Sequence, residues 1–347
     1  MKTLQSIQFL RGIAVLLVVL FHHSGFIERK YGLTPLAEVF RNGFAGMMLF
    51  FVLSGFIILT AHAGDLGRPG RIGFYVGRRF IRIYPFYWLV LLASGGWRVF
   101  SGELSLKSLA LNALLFKGTP SLIIPVSWTL AYEVVFYGLF IAFLINRKLG
   151  VVVFLIWLVS LATLWGGPVQ LPWLIDSLYG LFLLGMATAW LVGRLSRLDD
   201  RWRDGIGWSA LALGTAGFMV TGYLYSHAHL PADAWPHHPL TLAGFGGSSA
   251  LLLLASVSAS VNQALGKVKW LCGLGNASYA IYLVHLQFGK LGWNLAKAVK
   301  LAVPDEPGIG MASLLLAWIV LFSVVLGLVL HHLVEAPLLR RLRRAVA

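Results

Sequence analysis

Long apolar runs recur along the chain and are separated by short polar segments. A helix needs about 20 apolar residues to cross the hydrocarbon core of a bilayer, so windows of this length predict transmembrane helices. Such windows occur at about residues 7–26, 44–63, 83–100, 126–146, 150–166, 171–192, 207–225, 240–258, 276–296 and 310–333. The pattern therefore predicts an all-α, polytopic membrane protein with about ten transmembrane helices.

Segment 101–125 differs from these windows, because its apolar run, LALNALLF, is too short to cross a bilayer. We expect a re-entrant or interfacial piece there. The polar segments are all short, which predicts a single membrane-embedded domain over residues 1–347 with no appended soluble domain. A cleavable signal peptide is not expected, since Arg11 lies within the first span and no small-residue cleavage site follows it.

Composition and charge agree with a membrane protein. The chain is 58% hydrophobic and 12% charged, whereas soluble domains are about 45–50% apolar and about 25% charged. The net charge of +15 does not indicate a nucleic-acid partner, because no dense basic block is interleaved with aromatic residues. Most basic residues fall in alternate loops and at both ends of the chain, which predicts cytoplasmic N- and C-termini in the cell inner membrane.

The cysteine and histidine content predicts no metal site. The single cysteine, Cys272, excludes an internal disulfide and a thiolate metal cluster. An outer loop holds four histidines, but they lack an ordered ligand pattern, and we expect a solvated loop there. These residues are His227, His229, His237 and His238.

The first span carries ionisable groups, which are costly inside a membrane and mark candidate functional sites. On a helix, Arg11 and His22 lie within about 20° of one face and about 16 Å apart along the axis. His23 points about 100° away from that face, which favours a role in packing or at the rim.

An arginine cluster precedes the third span in the segment GRRFIRIYP. If this stretch is helical, Arg78, Arg79 and Arg82 share a face. Pro85 suits the first turn of a helix, so we expect the arginines just before or at the start of the span. The cluster is suited to binding phosphates, although a cytoplasmic anchor or a contact with anionic lipid would use the same residues.

Two further ionisable groups lie inside predicted spans, at Glu133 and His285. Glu133 must find a cation, hydrogen-bond donors or a proton, and Arg11 or a histidine is the expected partner. A structural ion pair and a polar functional site are both open for it. His285 is either an interhelical hydrogen-bonding residue or part of that site. Gly43, Gly46 and Gly55 predict close helix packing.

Five motifs in this order resemble the acyltransferase-3 family of integral-membrane O-acyltransferases. They are RGIAVLLVVLFHH, FFVLSGF, RRFIRIYP, SWTLAYEVVFY and SYAIYLVH, and the resemblance covers about residues 4–340. The family includes bacterial O-antigen, exopolysaccharide and Nod-factor acetylases. The resemblance implies transfer of an acyl group, usually acetyl, from cytoplasmic acyl-CoA to a hydroxyl, often on a sugar. Acyl-CoA would be a donor substrate, with no permanently bound cofactor.

The family motifs fall on particular residues of this chain. The arginine–ten residues–histidine motif falls on Arg11 and His22, and the RxxR motif falls on Arg79 and Arg82. The glutamate and histidine of the later motifs fall on Glu133 and His285. The chain departs from the family in its second span, AGMMLFFVLSG, where the family has an acidic GVDxFFVxSG form. It also lacks the hydrolase-like domain fused to longer members.

The resemblance suggests a division of labour, which is a hypothesis. Arg79 and Arg82, with Arg78 beside them, would hold the phosphates of CoA, and His22 would act as general base or form an acyl-histidine. Arg11 would steady the carbonyl oxygen or pair with Glu133, while Glu133 or His285 would orient His22. The acceptor would be a glycan, a glycolipid or another exported molecule, and its identity, the acyl chain and the oligomeric state are left open.

A transporter or flippase for a polar or lipid-linked substrate is the alternative, because it would also place charged residues in spans. Such proteins often show repeated halves, and no duplication is visible in this sequence. Stabilisation by CoA would favour the acyltransferase.

Overall fold

The protein was analysed as a computed structural model that describes residues 4–34, 40–116, 119, 121–164, 174–227, 236–298 and 307–345. All regular secondary structure in these residues is helical. The α-helices are α1 Gln5–Tyr31, α2 Ala45–His62, α3 Ile72–Phe100, α4 Leu106–Ala113, α5 Trp128–Ile145, α6 Arg147–Leu164, α7 Tyr179–Leu195, α8 Asp200–His227, α9 Pro239–Leu254, α10 Ala259–Gly266, α11 Lys269–Asn276, α12 Ser278–Ala298, α13 Ile309–Leu330 and α14 Ala336–Ala345. A π-helical turn, His331–Glu335, joins α13 to α14.

Five helical segments of the described chain are long and apolar enough to cross a membrane. They are Gln5–Tyr31, Asn42–His62, Pro125–Ile145, Pro239–Val257 and Ile309–Arg344. The other predicted spans overlap α3, α6, α7, α8 and α12, while α4 is an eight-residue helix that is too short to cross. The chain is thus a helical membrane protein, and the count of ten spans and the cytoplasmic termini stay predictions.

The expected start of the third helix is wrong. α3 begins at Ile72, so Pro85 lies inside the helix rather than in its first turn. The proline at the helix start is Pro69, which opens the short 3₁₀ turn that precedes α3. Its fixed backbone angle suits a helix start, where no intrahelical partner for its missing N–H is needed. The arginine cluster consequently lies on the first half of α3 instead of before it.

The predicted glycine packing in the second span is confirmed. A Cβ on Gly46 would lie 2.4 Å from the carbonyl oxygen of Ala14 on α1, and one on Gly55 would lie 2.0 Å from that of Phe182 on α7. Real side chains do not approach so closely, so these positions require glycine for the backbones to touch. α2 is therefore packed tightly between α1 and α7.

α12 follows α11 after a single residue and contacts α1. Arg11 contacts Ser278 at the start of α12, and His22 contacts His285 further along it. Contacts that advance together along both helices show that α12 runs parallel to α1. The two helices thereby carry their polar residues at matching levels.

Candidate active site

A cavity of about 390 Å³ lies between α1, α2, α3, α5, α12 and α14. Five of the predicted site residues line it: Arg11, Arg78, Arg79, Arg82 and Glu133. The remaining wall is formed by aromatic, aliphatic and hydroxyl side chains of α2, α3, α5 and α12, together with Arg343 of α14. The structure therefore brings the arginine cluster, the arginine of the first span and the span-borne glutamate to one place.

Arg11 is held by neutral partners. Its Nη2 donates to Ser278 Oγ at 2.8 Å, and its Nη1 donates to Gln8 Oε1 at 3.2 Å. Neither partner carries charge, so the positive charge of the guanidinium is not neutralised by a direct ion pair with a described residue. Arg11 therefore keeps its charge available to an anion or a polarised oxygen in the cavity.

Glu133 is hydrogen-bonded to a serine, not to the arginine or histidine that the sequence predicted. Ser54 Oγ donates to Glu133 Oε1. Ser54 lies in the FFVLSGF motif of α2, and Glu133 lies on α5, so the bond ties together two of the motifs. Glu133 places a carboxyl group in a cavity otherwise rich in guanidinium groups.

Glu335 is a site residue that sequence reasoning missed. It is fully buried in the π-helical turn, where Arg82 Nη1 donates to its Oε1 at 3.0 Å. His331 Nδ1 donates to the other oxygen at 2.8 Å. Its signal in the sequence is a lone carboxylate between the last apolar span and a run of arginines. Arg82 and His331 are therefore both partners of this buried carboxylate.

Arg79 also has partners that the sequence did not reveal. Its Nη2 donates to His62 Nε2 at 3.2 Å, while His62 Nδ1 donates to Asp65 Oδ2 at 2.8 Å. Arg71 donates to the other carboxylate oxygen of Asp65. The hydrogen bond from His62 lowers the pKa of Asp65, with Arg71 acting in the same direction against a raising effect of burial. Asp65 therefore stays ionised at neutral pH and keeps His62 in the tautomer that accepts from Arg79.

His22 and His285 lie together, away from the lining of the cavity. His285 Nε2 is 3.2 Å from His22 Nδ1. His285 Nδ1 is 2.6 Å from the carbonyl oxygen of Tyr282, and His22 Nδ1 is 2.9 Å from that of Val18. A carbonyl oxygen only accepts, so both Nδ1 atoms carry hydrogen. The single hydrogen on His22 Nδ1 is therefore shared between the carbonyl oxygen of Val18 and the lone pair of His285 Nε2.

These bonds fix the chemistry of His22. With hydrogen on Nδ1, neutral His22 has its lone pair on Nε2, the atom that can take a proton from a hydroxyl. Within the described part of the chain, Nε2 has no hydrogen-bond partner. Tyr282 connects the two regions, because its side chain lines the cavity and its carbonyl oxygen holds His285.

His23 has the packing role that its direction predicted, and it does not lie at a rim. It is 2% exposed, and its Nε2 lies 3.1 Å from Ser323 Oγ on α13. A Cβ on Gly289 of α12 would lie 2.2 Å from the His23 ring, so the ring fills the space above a glycine. The two adjacent histidines of α1 therefore have different roles.

The outer histidines form no metal cluster in the part that the structure describes. His237 Nδ1 lies 3.0 Å from Ser177 Oγ, and His229 falls outside the described residues. The absence of a metal site stays a prediction.

Comparison with known proteins identifies the family. A family model described as an acyltransferase domain, that of the acyltransferase-3 family, matches residues 4–331. The chain belongs to the acyltransferase-3 family. Membership makes the protein a membrane enzyme that transfers acyl groups other than aminoacyl groups, and it decides against the transporter or flippase.

One curated relative of this acyltransferase is the exopolysaccharide production protein ExoZ of Rhizobium meliloti (strain 1021). The two are 28% identical over 326 residues, which cover 87% of this chain and 91% of the relative. No solved structure is significantly similar to the chain. The similarity thus extends over almost the whole length of both proteins.

Proposed function

We propose that this acyltransferase moves an acyl group, most simply acetyl, from cytoplasmic acyl-CoA to a hydroxyl of a cell-envelope or exported carbohydrate in the inner membrane. The observation that carries the proposal is the convergence of Arg11, Arg78, Arg79 and Arg82 on one cavity. Guanidinium groups bind phosphate oxygens through two parallel hydrogen bonds. A cavity with this charge suits a donor that carries several phosphates.

The position of the cavity supports a cytoplasmic donor. Four of its arginines, Arg78, Arg79, Arg82 and Arg343, lie in segments that the loop charges predict to be cytoplasmic. The phosphates would bind at Arg79 and Arg82, and the thioester arm would extend past Tyr282 towards His22. Arg11 lies within the cavity lining, about 16 Å from His22 along the axis of α1, and would donate to a phosphate or amide oxygen of the donor rather than to the reacting carbonyl.

The chemical step would use the lone pair of His22. Nε2 takes the proton of the acceptor hydroxyl, whose oxygen forms a bond to the thioester carbon. The carbon–sulfur bond then breaks, and the proton passes from His22 to the leaving CoA thiolate. General base catalysis of this kind contributes about 10²–10⁴-fold. His285 would hold the His22 ring in place through the bond to Nδ1.

A carbohydrate acceptor is favoured by the name of the relative, an exopolysaccharide production protein. A test in cells compares cell-envelope and secreted glycans by mass spectrometry with and without the gene. Loss of an acyl group of defined mass from one glycan would identify the acceptor. Unchanged acylation of every glycan class would contradict a carbohydrate acceptor.

The enzymatic proposal is tested with protein purified in nanodiscs, by measuring acceptor-dependent release of CoA thiol from acetyl-CoA. We expect His22→Ala to reduce the rate by at least the 10²-fold that a lost general base represents. His227→Ala, an exposed histidine at the far end of α8, is the control and should keep the wild-type rate. Full activity of the His22 variant would overturn the mechanism.

A further inference from the structure

The C-terminal helix α14 contributes one side chain, Arg343, to the lining of the cavity, and none of the sequence motifs includes this residue. Arg343 lines the cavity together with Arg78, Arg79 and Arg82. It lies one turn beyond Leu339, which is buried. All four arginines of α14 are exposed, but only Arg343 lines the cavity, and the other three do not: Arg340, Arg341 and Arg344.

The approach of α14 to the cavity is fixed by Glu335. The π-helical turn buries this carboxylate and joins it to Arg82 of α3 at 3.0 Å. π-helical turns are rare and occur frequently at functional sites. α14 packs against α3 directly after the turn, so the ion pair sets where Arg343 lies relative to the α3 arginines.

The charges at this end of the cavity are incompletely compensated. Arg82 is paired with Glu335, but among the described residues no carboxylate lies within 4.0 Å of Arg78, Arg79 or Arg343. In addition, Nε of Arg79 is buried and has no hydrogen-bond partner among the residues that the structure describes. Like charges held this close repel one another, so an anion with several negative charges would bind favourably between them.

The charge of acyl-CoA is divided between two groups. Its diphosphate joins the pantetheine arm to the nucleoside, and a separate phosphomonoester lies on the ribose 3′ oxygen. A phosphomonoester carries about −1.5 to −2 charge at pH 7. Arg79 and Arg82, deeper along α3, suit the diphosphate, which leaves Arg343 for the second group.

We propose that Arg343 binds the 3′-phosphomonoester of acyl-CoA, and that α14 thereby makes the enzyme select acyl-CoA over donors that lack this group. The inference rests on the proposed use of acyl-CoA and adds a residue and a specificity to it. The same phosphate chemistry is present in anionic lipid headgroups, and the experiment therefore distinguishes the two sources.

The experiment measures KM for acetyl-CoA and for acetyl-3′-dephospho-CoA with wild-type enzyme and Arg343→Gln in nanodiscs. A hydrogen bond between charged groups is worth about tenfold or more in affinity. We expect Arg343→Gln to raise KM for acetyl-CoA about tenfold, with kcat unchanged and KM for the dephospho donor unchanged. Arg341→Gln, an exposed arginine on the same helix, is the matched control and should alter neither KM.

Equal effects of Arg343→Gln on both donors, or no effect on either, would overturn the proposal. The measurements are repeated in nanodiscs of phosphatidylcholine alone and with phosphatidylglycerol added. An effect that appears only with the anionic lipid, and equally for both donors, would assign Arg343 to a lipid headgroup instead.

A binding measurement separates failure of this proposal from failure of the proposed function. Adenosine 3′,5′-bisphosphate should raise the thermal transition of wild-type protein more than adenosine 5′-monophosphate does, and Arg343→Gln should remove that difference. If the wild-type enzyme turns over acetyl-CoA but shows no such preference, the role of Arg343 is wrong. If it neither turns over nor binds either nucleotide or donor, the use of acyl-CoA is wrong as well.

Discussion

Two regions of the molecule hold their polar groups in different ways. The arginine cavity, lined by Arg11, Arg78, Arg79, Arg82 and Arg343, takes its partners from side chains on several separate elements. The histidine pair, His22 and His285, is held by main-chain carbonyl oxygens of the helices that carry it. Side-chain partners can rearrange when a ligand arrives, whereas a helix carbonyl cannot move without the helix.

This difference matches what each region would have to do. A binding cavity for a flexible, charged donor must exchange its internal hydrogen bonds for bonds to the ligand. A general base must instead present one nitrogen with its lone pair in a constant direction. The structure thus combines an adaptable charged cavity with a fixed histidine pair, and variants should affect donor KM in the first and kcat in the second.

The largest effect is expected where both regions depend on one helix contact. Gly46 of α2 packs on the α1 backbone between Arg11 and His22, and an added Cβ would lie 2.4 Å from Ala14 O. Gly46→Ala should displace α2 from α1 at a cost of about 1–3 kcal/mol, typical of overpacking. We expect a lower thermal transition together with a higher donor KM and a lower kcat.

The matched control is Gly138→Ala on α5, where an added Cβ would have no neighbour within 4 Å. Alanine favours a helix over glycine by up to about 1 kcal/mol, so this variant should be as stable as the wild type or more stable. Identical behaviour of the two variants would contradict the role of close α1–α2 packing.

An intermediate effect is expected for the histidine pair. His285→Phe keeps a ring in the buried site but removes the atom that accepts from His22 Nδ1. Because the ring of His22 then has only Val18 to orient it, kcat should fall by about 10–100-fold, short of full loss of a general base. Donor KM should be unchanged, and steady-state kinetics over a range of acetyl-CoA concentrations separates the two.

His285→Asn tests whether another hydrogen-bond acceptor can replace His285 Nε2. Its side-chain oxygen can accept from His22 Nδ1, so it should retain a higher kcat than His285→Phe. Equal kcat for the two variants would show that His285 acts only by filling space. A change in donor KM alone would show that His285 contributes to donor binding instead of orienting His22.

The smallest effect is expected at the edge of the arginine cavity. Asp65→Ala removes the acceptor of His62 Nδ1 and so frees the ring that accepts from Arg79. The Arg79–His62 bond is weakened and not removed, so the loss should be near the 0.5–1.5 kcal/mol of a typical hydrogen bond, about two- to tenfold in donor KM, while kcat stays constant. Asp204→Ala, which removes a carboxylate bonded to Ser258 far from the cavity, is the control. Equal effects of both variants on KM would contradict the chain from Asp65 to Arg79.

The fold class and most residues of the candidate site are predictable from residue patterns alone. Apolar windows of bilayer length predicted a helical membrane protein, because backbone groups in lipid must be bonded within helices. Arg11, Glu133 and His285 are candidate site residues because they are ionisable and lie inside these windows. Such groups are costly in a membrane and usually mark functional sites. Helical geometry alone separated His22 from His23, and the structure gives the two residues different partners.

Which of these residues contact one another depends on how the helices pack. Glu133 is bonded to Ser54 and not to Arg11 or a histidine, and His22 is bonded to His285 and not to Glu133. Glu335 and Arg343 are far from the first spans in the sequence, yet Glu335 pairs with Arg82 and Arg343 lines the cavity. Spacing along a chain fixes the face of a helix on which a residue lies, but partners on different helices depend on how those helices pack.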